Sequence, residues 1–210
     1  MTYSRRQKAF RRLGILMILV VIGSVTGLYQ VLPSMAVRDM EVSYGIAPTD
    51  TIARVYKPDI DRTTLYYLQE NDDVLMWTSV KFYPFLGGWQ RMFAAIVELD
   101  ETAPLQVSYE SIASDDESTV YAFGQVNQEG TVVLQARDWE DDSVLAEFVV
   151  PETDYITYQG NTYFISNITE FYNQEFWMSY YPKFMSYLLT PEGETIGEAR
   201  LEGSSTFYNV

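Results

Sequence analysis

The chain has no cysteine and no histidine. The first absence removes disulfides, thiol nucleophiles and thiolate metal sites. It also removes any lipobox, so the chain cannot be held by a diacylglyceryl group. The second removes the commonest general base and the commonest metal ligand. Serine–histidine and cysteine–histidine catalysis cannot occur within the chain, and neither can zinc chemistry built on histidine. A disulfide-free domain of this size fits a bacterial surface better than an animal one. Basic residues are also scarce, with 14 Lys and Arg against 29 Asp and Glu. Five of the cations, Arg5, Arg6, Lys8, Arg11 and Arg12, precede residue 13; the nine that follow residue 32 stand with all 29 acids, which begin at Asp39, and leave a net −20. Such a field repels nucleic acid and anionic polymers, so no nucleic-acid partner is expected. Its plainest meaning is solubility.

Charge is missing altogether from residues 13–32, LGILMILVVIGSVTGLYQVL. Twenty helical residues would cover about 30 Å, the hydrocarbon thickness of a bilayer. The basic residues before the run and the acids after it predict a cytoplasmic N-terminus and a translocated remainder. Residues 1–12 are then a basic cytoplasmic tail, 13–32 a transmembrane signal anchor, 33–40 a linker beginning at the helix-breaking Pro33, and 41–210 an extracytoplasmic domain with a sub-boundary near 101–104. Ser34-Met35-Ala36 supplies small residues at signal-peptidase spacing, so cleavage after Ala36, giving a secreted domain, is the competing expectation. Gly23 and Gly27 form a GxxxG spacing through which two anchors could approach as a weak homodimer, although small residues are common in membrane helices anyway.

Beyond the anchor, β-branched and aromatic runs alternate with Asp, Asn, Gly and Pro turns. Tyr44-Gly45-Ile46 reads as a strand entering a turn. Asn71-Asp72-Asp73, Gly87-Gly88, Asn127-Gln128-Glu129-Gly130, Gln159-Gly160-Asn161 and Pro191-Glu192-Gly193-Glu194 read as turns between strands. The pattern predicts a mainly β chain: an N-terminal transmembrane helix, then an antiparallel β-rich domain built as a sandwich or curled sheet. A likeness between Tyr44-Gly45-Ile46 and Phe123-Gly124-Gln125, each followed by a β-branched strand, leaves open two similar β units. Residues 168–180 stay ambiguous: Ile168, Phe171, Tyr172 and Phe176 have helical spacing, with Thr169 as a cap, but the aromatic richness favours strand.

Four acidic groups, Asp59/Asp61, Asp72/Asp73, Asp115/Asp116/Glu117 and Glu140/Asp141/Asp142, have oxygen chemistry suited to calcium, but none has EF-hand spacing and each falls where a turn is expected. They read as solvated turns. Carboxylate pairs could also hydrolyse glycosides, but no stretch assigns an acid and a nucleophile. No catalytic residue, metal or cofactor is therefore expected. With 17 Tyr, 11 Phe and 4 Trp, most aromatics should fill a β core. The densest group offers recognition candidates instead: Tyr83, Trp89, Trp177, Tyr180 and Tyr181.

On Tyr44-Gly45-Ile46, Gly88-Trp89, Phe123-Gly124-Gln125-Val126 and residues 189–196, LTPEGETI, the chain resembles a loose class of uncharacterised Gram-positive (Bacillota-type) exported proteins anchored at the membrane. That resemblance implies no activity. The layout of tail, anchor and one domain also resembles conjugation-apparatus proteins of the VirB8 type, which implies a subunit of a membrane secretion or conjugation assembly with a helix-rich domain. The leading expectation is a non-enzymatic binding or sensing module in the cell envelope, whose partners are the bilayer and another envelope protein. A carboxylate-based surface hydrolase is the further alternative.

Overall fold

The computed structural model describes residues 5–25, 30–56, 62–85, 87–113, 118–173, 182–200 and 202–203. Three sheets and a helix stack as four layers. The first sheet is a meander of β1 (Asp50–Val55), β2 (Thr64–Glu70), β3 (Val74–Tyr83) and β4 (Gly88–Glu98), in that spatial order. The central sheet holds β5 (Leu105–Ala113), β6 (Ser118–Val126), β9 (Tyr155–Tyr158), β10 (Asn161–Asn167) and β13 (Glu202–Gly203), ordered β13-β5-β6-β10-β9. The third holds β7 (Thr131–Arg137), β8 (Val144–Val149), β11 (Lys183–Leu189) and β12 (Thr195–Arg200), ordered β12-β11-β7-β8. The described pairings are antiparallel except the two-residue β13, which runs parallel to β5. The chain passes from the first sheet to the central one at residues 100–104.

The central sheet is covered on both faces, which explains why β6 is apolar without alternation. Val120 and Ala122 pack with Val132, Leu134, Phe184 and Leu188 of the third sheet. Tyr121 and Phe123, one residue along and so on the opposite face, pack with Tyr66, Leu68, Trp77 and Phe93 of the first sheet. The outer face of the first sheet is covered by α2 (Pro33–Tyr44), through Ala36 and Val37 on Leu65, Tyr67 and Val80, and through Met40 on Met76 and Ala94. Exposed strands are the edges β1 and β8.

The helix α2 occupies the expected linker, and its ends carry the reason. Pro33 stands in the first turn, where its missing N–H costs nothing. Gly45 adopts φ 69° just past the end, and Ile46 N–H donates to Glu41 O at 2.9 Å, closing a Schellman cap. Tyr44-Gly45-Ile46 is therefore a helix stop and not a strand entry, whereas Phe123-Gly124-Gln125 lies inside β6. The likeness between them is local, and three sheets replace the two similar units. In the ambiguous stretch the chain forms one helical turn, α3 (Thr169–Tyr172), and residues 174–181 lie outside the described ones. Ile168, not Thr169, is its cap residue. Asn167 Oδ1 accepts from the Thr169 hydroxyl and N–H at 2.6 and 3.0 Å.

The N-terminal helix α1 spans Arg5–Val25. It takes in the basic residues, and its described uncharged part, Leu13 to Val25, covers about 20 Å at 1.5 Å per residue. Gln30 is already paired with Trp89, and Leu32 is the cap residue of α2. Residues 13–32 are thus not one continuous helix, and among the described residues no helix is long and apolar enough to cross a membrane.

Candidate functional site

Of the recognition aromatics, Tyr83 and Trp89 lie on the two strands flanking the β3–β4 turn, where Tyr83 pairs with Gly88 and Phe82 with Trp89, so that they occupy opposite faces of the sheet. Both are half-buried. The Trp89 ring lies 5.3 Å from that of Phe82 at a tilt of 51°, and the Tyr83 hydroxyl donates to Met92 Sδ at 3.7 Å. Trp177, Tyr180 and Tyr181 lie outside the described residues, as does Gly27, the second glycine of the GxxxG pair. Arg6, Lys8, Arg11 and Arg12 are exposed along the first turns of α1, which Arg5 begins.

The acidic groups divide. Asp59/Asp61 and Asp115/Asp116/Glu117 lie outside the described residues. Glu140/Asp141/Asp142 is turn machinery: Asp141 Oδ1 accepts from Ser143 N–H at 2.9 Å, and Asp142 holds φ 58° while pairing with Arg137 at 2.8 Å and Lys183 at 3.2 Å. Among the described residues no group of three or more acidic side chains is arranged to hold a metal ion.

Asp72 belongs to something larger. The ends of β1, β2, β6 and β10, together with the β4–β5 connection, converge on a cleft of about 460 Å³. Its lining is Asp50, Glu70, Asn71, Asp72, Leu99, Glu101, Gln125, Asn127, Gln159 and Asn161. Four carboxylates and five carboxamides thus face one space with no cation among them. Several of the amides are tied to the frame, Gln159 among them through Nε2 donating to the Tyr158 hydroxyl at 3.0 Å. Asn71 Oδ1 accepts from Asp73 and Val74 N–H at 2.9 Å each, and Asn127 Nδ2 donates to Ala103 O at 2.8 Å. The wall behind the cleft is fixed by Tyr163, whose hydroxyl donates to Glu70. Gln159 with φ 51° and Gly160 with φ 90° form the two-residue turn that brings β9 and β10 to the rim.

A smaller cavity of about 160 Å³ lies between α2 and the first sheet. Beside it sits a buried polar relay. Glu41, 2% exposed, accepts from Arg38 Nη1 at 2.7 Å, Thr49 N–H at 2.8 Å and the Thr49 hydroxyl at 2.5 Å. Gln69 Nε2 donates to Thr49 Oγ1, and Thr78 Oγ1 donates to Gln69 Oε1, each at 3.0 Å. Every partner is satisfied within the seam, so this is a clamp joining α2 to β2 and β3.

Buried phenols give the fold an alkaline limit. Burial, reinforced by the hydrogen bond to Glu70, pushes the Tyr163 phenol above its usual value. Burial does the same to Tyr121, and to Tyr109, where Tyr172 adds to it. It also raises Tyr155 and Tyr67, against the lowering effects of the Val132 N–H and the Arg54 charge respectively. A group whose pKa is raised by folding contributes stability that is complete below its unfolded value, about 10 for tyrosine, and is lost as pH rises through the folded value. The urea midpoint should hold level up to about pH 9.5 and fall above pH 10, each buried phenol adding at most about 1.4 kcal/mol per pH unit to the slope. Tyr121→Phe should make that fall shallower, and an unchanged slope would remove Tyr121 from the account.

No protein-family model, no curated protein and no solved structure matches this chain. No enzyme family or fold is indicated, and the chain presents no catalytic motif.

Proposed function

We propose that this chain is a non-enzymatic binding module of the cell envelope, held at the membrane by its N-terminal segment, and that the cleft between the first and central sheets takes a cationic polar ligand. The observation that carries the ligand class is the lining: four carboxylates and five carboxamides with no cation. Carboxylates accept from ammonium or guanidinium groups, and carboxamides offer both donors and acceptors to a hydroxyl or peptide group beside them. A basic peptide segment of an envelope partner, a polyamine and an amino sugar share this chemistry. The absence of histidine and cysteine supports binding over catalysis. The membrane placement is supported by the uncharged residues 13–32, the five cations before them and the acids confined to the chain after them. By this reading the N-terminus is cytoplasmic and the β stack extracytoplasmic.

Titration calorimetry on the full chain in detergent tests the ligand class, with spermidine, a Lys/Arg-rich peptide, glucosamine and maltose as probes. Cationic probes should bind, more weakly as salt rises. Asp72 and Glu101 are exposed turn residues, so reversing both to lysine should leave the fold intact. It should weaken binding about tenfold, or about 1.4 kcal/mol. Maltose binding with no cationic preference, or no binding by any probe, would overturn the proposal.

A further inference from the structure

The β3–β4 hairpin differs from the rest of this acidic chain. Residues 74–97 contain Lys81 and Arg91 and no Asp or Glu. Its turn is tight: Gly87 takes φ 66° and its N–H donates to Tyr83 O at 2.9 Å. Phe85 stands at the apex and is fully exposed, at 104%. An isolated surface Phe needs no explanation, but this one has company. Tyr83 and Trp89 flank the turn, and Lys81 Nζ lies 6.0 Å over the Tyr83 ring. Met92 on β4 is 39% exposed.

The hairpin is also tied to the chain that leaves α1. Gln30 N–H donates to Trp89 O and Trp89 N–H donates to Gln30 O, both at 2.7 Å. Val31, Leu32 and Met35, immediately after Gln30, are also exposed apolar side chains. Five Cα steps separate Val25 from Gln30, so the end of α1 lies within about 18 Å of the hairpin whatever path the chain takes. The cleft is at the other end of β2 and β3, about 30 Å away along the strands.

We infer that the β3–β4 turn is a second membrane contact: Phe85 enters the boundary between headgroups and acyl chains of the bilayer that holds α1. Tyr83 and Trp89 sit at headgroup level, where amphipathic rings are favoured. Lys81 lies toward the lipid phosphates, while Arg91 is paired with Asp39 of α2 at 3.5 Å. The occupant of this surface is lipid because the covalent path from α1 and the absence of acids in residues 74–97 both direct it there. The inference rests on the anchoring reading above. It goes beyond that reading by giving the β stack a fixed orientation, with the cleft facing away from the bilayer.

The lack of cysteine makes the test direct, since any introduced cysteine is a unique label site. Ile18→Cys, Pro84→Cys and Asp72→Cys would each carry an environment-sensitive fluorophore. The full chain would be reconstituted in phosphatidylcholine–phosphatidylglycerol vesicles with lipids spin-labelled at shallow or deep acyl positions. Site 18 should be quenched most by deep labels. Site 84 should be quenched by shallow labels at least twofold more than site 72, and Phe85→Ser should reduce it to the site 72 level. Quenching at site 18 with site 84 no different from site 72 overturns the hairpin contact and leaves the anchor standing. Site 84 quenching that survives Phe85→Ser overturns the role of Phe85. No quenching at site 18 overturns the anchor; quenching at site 84 would then still support the contact, and its absence would overturn that too.

Discussion

Replacing Trp77 by alanine should lower the unfolding free energy by about 4 kcal/mol, within the range for deleting a large buried aromatic. Trp77 is fully buried at the interface of the first and central sheets. It stacks on Tyr66 at 5.8 Å and Phe123 at 6.1 Å, and meets Tyr121 at 5.9 Å. Truncation therefore opens a cavity between two sheets whose backbones cannot close together without breaking other contacts. Trp77→Phe should cost much less, about 1 to 2 kcal/mol, and not only because of its volume. The indole Nε1 is buried with no hydrogen-bond partner among the described residues, and an orphaned buried donor already weighs against the fold by about 1–3 kcal/mol. Phenylalanine removes the orphan. Urea unfolding of the three proteins decides the matter: equal losses for Ala and Phe would mean that the indole nitrogen is hydrogen-bonded in solution.

The second large effect is expected at Gly124. A Cβ there would overlap the Gln106 carbonyl oxygen and stand 2.8 Å from Phe164 Cε1. Gly124, Val107 and Phe164 share one level of the central sheet, and the fully buried Phe164 ring lies over the glycine. Gly124→Ala should cost about 3 kcal/mol, at the upper end of what overpacking does in a filled core. Phe164→Leu alone should cost about 1 kcal/mol. Combining them should recover only the part due to the ring, because the Gln106 oxygen belongs to the backbone of β5. A double-mutant cycle with a coupling of about 0.5–1.5 kcal/mol would agree. Full recovery would mean that the ring alone excludes the methyl.

These two sites show what could be read from the residues alone. The turns were legible because their chemistry is local. Asn71 accepts from the backbone two and three residues on, and Gly193 takes φ 86° beyond Pro191. The strands between them follow. The helix α2 was legible in principle, from Pro33, the stripe Ala36, Val37, Met40 and Tyr44, and the stop at Gly45. Its short length and the pull of the adjacent uncharged run hid it. The layering was not legible. After β4, consecutive hairpins alternate between the central and third sheets, so one hairpin and the next do not share a sheet. Nor was the cleft. Asp50, Asp72, Glu101, Asn127 and Asn161 each look like an ordinary polar residue at a strand end, and only the topology makes them one surface. Trp77 and Tyr163, at the centre of the molecule, stood out less than aromatic doublets such as Phe82-Tyr83 and Tyr180-Tyr181.

The two-residue strand β13 has a consequence for how the chain acquires its structure. Ser108 and Tyr109 of β5 pair with Glu202 and Gly203, which are synthesised nearly a hundred residues later. Val126 of β6 likewise waits for Thr162 of β10 while a whole hairpin of the third sheet is made between them. Such distant pairings must overcome loop-closure entropy before they add stability, which places folding in the slow, millisecond-to-second regime of non-local β proteins. Until β10 arrives, Tyr121 and Phe123 remain on a hairpin open along the β10 side of β6. A growing chain therefore carries the open edge of β6 from Val126 until β10, Asn161–Asn167, is made, and the central and third sheets are completed only with its last fifty residues.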